Sequence, residues 1–173
     1  MTERLVLLIF AVALVALAGP ALPGFARAAE PAAAAGRYHA CLAKADKDPK
    51  DAFEDAIQWR DEGGGPPAEH CAASALIVLG LFADAARRLE DLAQRIKEDA
   101  AFKGQILGQA GQAWLMADNA GRAEAVATAA IGLRPGDIEL LIDRAQARAQ
   151  LADYKLAVAD LNAALALNSG RPD

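Results

Sequence analysis

The stretch from Gly104 to Asp137, GQILGQAGQAWLMADNAGRAEAVATAAIGLRPGD, is followed by an altered copy of itself, IELLIDRAQARAQLADYKLAVADLNAALALNSGR, over residues 138–171. A shift of 34 residues lays Leu107 on Leu141, Ala110 on Arg144, Gly111 on Ala145, Ala120 on Tyr154, Ala123 on Ala157, Ala127 on Leu161 and Ala130 on Ala164. Gly111, Ala123 and Ala130 fall on alanines, and the register needs no gap. A period near 34 with this pattern marks a helix-turn-helix repeat.

Upstream, Ala73, Gly80, Phe82, Ala85 and Leu89 recur 38 residues later at Gly111, Asp118, Ala120, Ala123 and Ala127. The four-residue excess is about one helical turn, and the simplest expectation lengthens the second helix of that unit. Expected helix pairs run over 68–79 and 83–97, 101–116 and 122–133, then 137–151 and 154–167. Arg134-Pro135-Gly136-Asp137 joins the last two units, with Pro and Gly stopping one helix and Asp137 capping the next. A further pair precedes them. Tyr38, Cys41, Leu42 and Ala45 share one helical face; Asp48-Pro49 opens a second helix carrying Ala52, Phe53, Ala56, Ile57 and Arg60; and Gly63-Gly64-Gly65-Pro66-Pro67 closes it.

These residues resemble the tetratricopeptide repeat family. The unit at 104–137 carries Leu107, Ala110-Gly111, Trp114, Ala123, Ala130 and Pro135; the unit at 138–171 carries Leu141, Ala145, Tyr154, Ala157, Leu161 and Ala164, with Arg148 where an aromatic is usual and Ser169 where Pro is usual. The unit at 66–103 departs further, with Glu69 in the opening apolar slot and Leu92 in place of an Ala. Residues 37–65 form at best a degenerate repeat. The resemblance implies an all-α, right-handed solenoid of stacked antiparallel helix pairs, about three units plus the N-terminal pair. Gly111, Ala145 and Ala73 would let helices approach closely, while Trp114, Leu141 and Leu161 fill the remaining space.

Composition agrees with helices. Apolar residues make up 54% of the 173, but aromatics only 5%. The formal net charge of -5, without a Lys/Arg stripe, leaves no electrostatic footprint for nucleic acid. At the N-terminus, Leu5 to Ala18 is an apolar run too short for a membrane span, which needs about 20 residues, and Ala26-Arg27-Ala28 supplies the small-residue spacing of a signal peptide. Residues 1–28 are therefore expected to be removed, leaving no membrane span, and 29–36 to form a flexible leader before structure begins near Arg37. The expected location is periplasmic or secreted.

Cys41 and Cys71 are the two cysteines. In an oxidising compartment they read as a disulfide between first helices of neighbouring units, closing a loop worth about 3 to 4 kcal/mol in the loop-entropy model. A competing reading is a metal or thiol-redox site formed with His39 and His70, although adjacent His and Cys on a helix diverge by about 100°. No metal or cofactor is expected. Catalysis has no foothold, because nucleophile elbow, phosphate loop and His-Glu-x-x-His are all absent. Glu90-Asp91, Glu98-Asp99 and Asp160 are expected on solvated faces.

Function is then expected to be non-catalytic binding of a protein or peptide, as an adaptor or assembly factor. In the family resembled, first helices line a concave groove. Carried onto this sequence by helical phase, that groove shows His70, Ser74 and Ile77, then Gln105, Gln112 and Met116, then Glu139, Ile142 and Gln146, with no inward basic clamp for a carboxylate. At the C-terminal end, Val158, Leu161 and Leu165 are expected to turn inward; left uncovered, they would favour self-association.

Overall fold

The computed structural model describes residues 26–97 and 99–169, excepting the side chains of residues 26–32. The described residues are all-helical: α1 Ala26–Ala45, α2 Pro49–Trp59, α3 Gly65–Val78, α4 Phe82–Arg95, α5 Ala100–Met116, α6 Ala120–Leu133, α7 Ile138–Gln150 and α8 Tyr154–Asn168, with one π-helical turn, Arg60–Gly64, between α2 and α3. None of these helices is long and apolar enough to cross a membrane. The expected signal segment lies outside the described residues as far as residue 25. α1 begins at Ala26, upstream of the expected Arg37, so the segment 29–36 is helical. Its run of alanines, the best helix formers, accounts for the extension.

Local chemistry sets the helix boundaries. The Asp48 carboxylate accepts from the Asp51 N–H at 3.3 Å, with Pro49 at the first helical position. Asp99 accepts from the Phe102 N–H at 2.8 Å, Asn119 from Arg122 at 3.2 Å, and Asp137 from Glu139 at 3.1 Å and Leu140 at 3.4 Å. Gly63 turns left-handed at φ 93° to end the α2 run.

The repeat register appears in the backbone. Gly80, Asp118 and Ala152 stand at the same place in successive units, and all three have positive φ, at 74°, 55° and 63°. Around each the chain closes with the same outer bond, Leu81 N–H to Leu76 O at 2.9 Å, Asn119 N–H to Trp114 O at 2.9 Å and Asp153 N–H to Arg148 O at 2.8 Å. This is a Schellman turn made three times. The four-residue excess lies elsewhere than expected. α4 and α6 are equal at 14 residues, whereas α5 has 17 and α7 has 13. The extra turn therefore opens the first helix of the next unit, where the Asp99 cap fixes its start.

Each helix packs on its neighbours in sequence, and α1 also meets α3 and α5 meets α7. Leu89, Leu92 and Ile106 are the largest fully buried residues of a core shared by α3, α4, α5, α6 and α7. A second cluster joins α1, α2 and α3 through Cys41, Ala56, Trp59, Ala68, Cys71 and Ala72. Two packing expectations are corrected. A Cβ at Gly111 would meet Ala123 O at 3.8 Å, an ordinary contact, so this position does not enforce close approach. In α5 the tight glycines are Gly104 and Gly108, where a Cβ would fall 2.7 Å from Arg134 Cγ and from Leu140 Cδ2. Leu161 does not fill a gap either; it is 43% exposed, since no described helix follows α8.

Candidate functional site

α5 and α7 lie side by side, and between them opens a cavity of about 290 Å³ lined by Gln112, Leu115, Met116, Asp143 and Gln146. Three of these, Gln112, Met116 and Gln146, are predicted groove residues. Their spacing explains the convergence: Gln112 and Met116 are one turn apart on α5, and Gln146 is three residues beyond Asp143 on α7, so each pair shares a face. Gln112, Gln146 and Met116 are exposed, the last by 54%. No Lys or Arg lines this cavity.

Asp143 is the residue that sequence reasoning missed. Its Oδ2 is buried without a hydrogen-bond partner, the one such side-chain atom among the described residues. Burial raises its pKa above the usual carboxylate value; the Gln112 side chain draws it down, while the negative charges of Glu139 and Asp137 push it up. A buried acceptor without a donor costs about 1 to 3 kcal/mol. Only its place three residues before Gln146 hinted at this, because an Asp on a mixed helix reads as solvated.

The other predicted groove residues divide. Gln105, Glu139 and Ile142 are exposed, Ser74 and Ile77 are half-buried, and His70 is buried at 7% exposure. His70 bridges helices instead of lining a surface. The Tyr38 hydroxyl lies 2.6 Å from its Nδ1, and its Nε2 lies 2.6 Å from Gln109 Oε1. In the neutral Nε2–H tautomer that Gln109 Oε1 requires, Tyr38 donates and His70 donates in turn, linking α1, α3 and α5. Burial lowers the His70 pKa, with Gln109 opposing. Ser74 donates to the His70 carbonyl at 3.0 Å.

Beside this bridge Cys41 and Cys71 form a disulfide with a Cα–Cα distance of 6.2 Å, joining α1 to α3. Both sulfurs are thus bonded to each other, leaving no thiolate for a metal, and His39 is exposed while His70 is buried. Among the described residues no three His, Cys, Asp or Glu side chains converge as a metal site would require.

The charged residues expected on solvated faces are partly structural. Asp160 is 4% exposed and takes Arg144 Nη2 and Arg148 Nη1 at 2.7 Å each, while Arg148 Nε reaches Glu124 at 2.9 Å. Glu90 accepts from Trp114 Nε1 at 2.5 Å and from Arg122 at 2.9 Å. Arg148 thus occupies the place of Trp114 one period on, and each reaches a glutamate 24 residues upstream. Asp99 caps α5, whereas Asp91 is exposed as expected. A larger cavity of about 630 Å³ opens between α2 and α4, lined among others by Phe53, Arg60, Glu69, Arg87, Arg88 and Arg95. Its arginines are already held: Arg88 and Arg95 by Glu69 at 3.0 and 3.2 Å, Arg60 by Asp61 at 2.8 Å, and Arg87 by Asp84. That arrangement stabilises helix contacts more readily than it captures an anion.

No protein-family model matches the chain, and no curated protein matches it either.

Proposed function

We propose that the chain is an exported, non-catalytic binding module of the tetratricopeptide type, a solenoid of stacked helix pairs that acts as an adaptor or assembly factor. Its ligand is a peptide or helix laid in the groove between α5 and α7. What supports the solenoid is the threefold Schellman turn together with packing that runs from helix to next helix. What supports the compartment is the disulfide, which belongs to oxidising environments, and the apolar run at Leu5 to Ala18.

The single observation that carries the site is Asp143 Oδ2, a buried carboxylate oxygen without a donor, in a cavity otherwise lined by two amides and two apolar residues. Such a group is costly in the free protein and recovers that cost when a ligand supplies a donor. The ligand chemistry is therefore a Lys, an Arg or a backbone N–H, with an apolar neighbour for Met116. Gln112 and Gln146 complete a polar rim that reads an extended peptide through its amides.

The test is a cross-linking pull-down from an envelope extract of the source organism. The exported protein is compared with Gln112→Arg, Gln146→Arg and Asp143→Asn, with helicity checked by circular dichroism and Arg87→Gln as a control in the other cavity. Loss of one common partner in the three groove variants, with retention in the control, supports the reading. Unchanged partners with the fold intact move the binding surface away from α5 and α7.

A further inference from the structure

α8 carries a stripe of large apolar side chains that no described residue covers. Tyr154, Val158, Leu161 and Leu165 are 66%, 55%, 43% and 64% exposed. Their spacing of 4, 3 and 4 puts them on one face. This reverses the expectation that Val158, Leu161 and Leu165 turn inward. The buried face of α8, carrying Ala157, Asp160 and Ala164, is the one that meets α7.

The repeat register tells what this face is for. One period upstream it corresponds to Ala120, Glu124, Ala127 and Ile131 on α6: Ala120 and Ala127 are buried, Ile131 is half-buried, and Glu124 is bonded by Arg148 of α7. In the unit before, the same face of α4 is Phe82, Ala86, Leu89 and Ala93, of which the last three are at most 1% exposed and belong to the core that α5 shares. In both earlier units the following helix packs on this face. On α8 the residues are larger and wholly uncharged, so the occupant is a helix with a matching apolar stripe. The two charges of α8 do not contribute: Lys155 lies off the stripe, and Asp160 is buried against Arg144 and Arg148.

We infer that the occupant is a second copy of this chain, docked α8 against α8 about a twofold axis. The spacing 4, 3, 4 reads the same in both directions, so two antiparallel copies set Tyr154 of each opposite Leu165 of the other, and Val158 opposite Leu161. That is the self-complementarity a closed, isologous contact needs. A head-to-tail contact would need a matching open face on another element, and α1 and α2 contribute no large exposed apolar residue among the described side chains. The inference is independent of the groove between α5 and α7, whose lining residues lie on neither face of α8.

The experiment uses protein exported from cells expressing the full chain, examined by sedimentation equilibrium up to about 100 µM, where even a weak dimer populates. The expected result is a mass twice that of the monomer, and association at least about tenfold weaker in the double variant Val158→Glu/Leu165→Glu but not in Met116→Glu. Both stripe positions are exposed, so circular dichroism should report an unchanged fold. Orientation is read separately. Val158→Cys protein mixed with Leu161→Cys protein should form a covalent dimer under mild oxidation, more efficiently than either variant alone. A wild-type monomer at the highest concentration, a dimer that ignores the glutamates, or a stripe engaged only by a different protein overturns the inference. Efficient cross-linking of Val158→Cys to itself, which a parallel pairing would give, overturns the proposed antiparallel contact.

Discussion

Ala152 holds φ 63° at the turn between α7 and α8, where the equivalent turn between α3 and α4 has Gly80 at φ 74°. A residue with a Cβ costs about 1 kcal/mol in the left-handed region, while glycine does not. Ala152→Gly should therefore stabilise the protein by roughly 0.5 to 1 kcal/mol, and Gly80→Ala should destabilise it by a similar amount, because nothing lies within 4 Å of an added Cβ and only the backbone angle acts. Urea midpoints at constant slope measure both; equal and unchanged midpoints would mean that these turns relax freely. His70 yields a pH prediction. Burial holds its folded pKa below the ordinary value, so below about pH 6.5 the unfolded chain binds a proton that the folded one resists. Its contribution is complete above that pH and is lost as pH falls from there toward the folded pKa. The urea midpoint should fall between pH 8 and pH 5, and His70→Gln should flatten that decline. Asp143 acts in the opposite sense, its folded pKa being raised by burial. Neither residue was legible as such. Sequence phase placed His70 on the groove because a helical face does not reveal which neighbour closes over it, and here Tyr38 and Gln109 do.

At the scale of elements, the repeat made the helices readable and capping residues fixed most of their ends, which is why the expected boundaries for α6, α7 and α8 differ from the observed ones by only a residue or two. Lengths were less legible. The apolar pattern puts the excess between the first two units in α4, yet it opens α5, because Asp99 caps a turn earlier than that pattern alone suggests. Ion pairs were hidden for a related reason. Asp160, Arg144 and Arg148 each look like surface residues in their own helix and become a buried network only when α7 packs on α8. The role of Gly111 separates two accounts of how α5 meets α6. Were it a close-approach residue, a methyl group would be destabilising. The observed 3.8 Å to Ala123 O and 3.9 Å to Ala127 Cβ leave room for one, and Ala73 and Ala145 already carry it in the units on either side. Gly111→Ala should then gain about 0.5 to 1 kcal/mol from helix propensity. Thermal melts at matched ΔH would detect this, and a loss of similar size would restore the close-approach reading.

For the molecule as a whole, the contact pattern decides how it comes apart. Strong contacts join each helix to the next, with α1·α3 and α5·α7 the wider ones, so among the described residues no extensive interface ties α1 and α2 directly to α6, α7 or α8. Stability in such a chain is approximately a sum of local terms, and segments can open separately. The Cys41–Cys71 bond lies at one end of this series and closes a separation of 30 residues, which corresponds to about 3 to 4 kcal/mol in the loop-entropy model. Its neighbours are the Tyr38–His70–Gln109 bridge and the cluster around Trp59, both of which depend on α1 lying against α3. Reduction should therefore act locally before it acts globally. In hydrogen exchange followed by mass spectrometry, a phosphine reductant should speed exchange by one to three orders of magnitude in α1, α2 and the start of α3, since each 1.4 kcal/mol is about tenfold. Peptides from α6 to α8 should keep their rates, because their protection rests on the Asp160 network and on the core around Leu89 and Ile106. Equal acceleration along the whole chain would show that the helices unfold as one cooperative unit and that the disulfide stabilises all of them through a shared unfolded state.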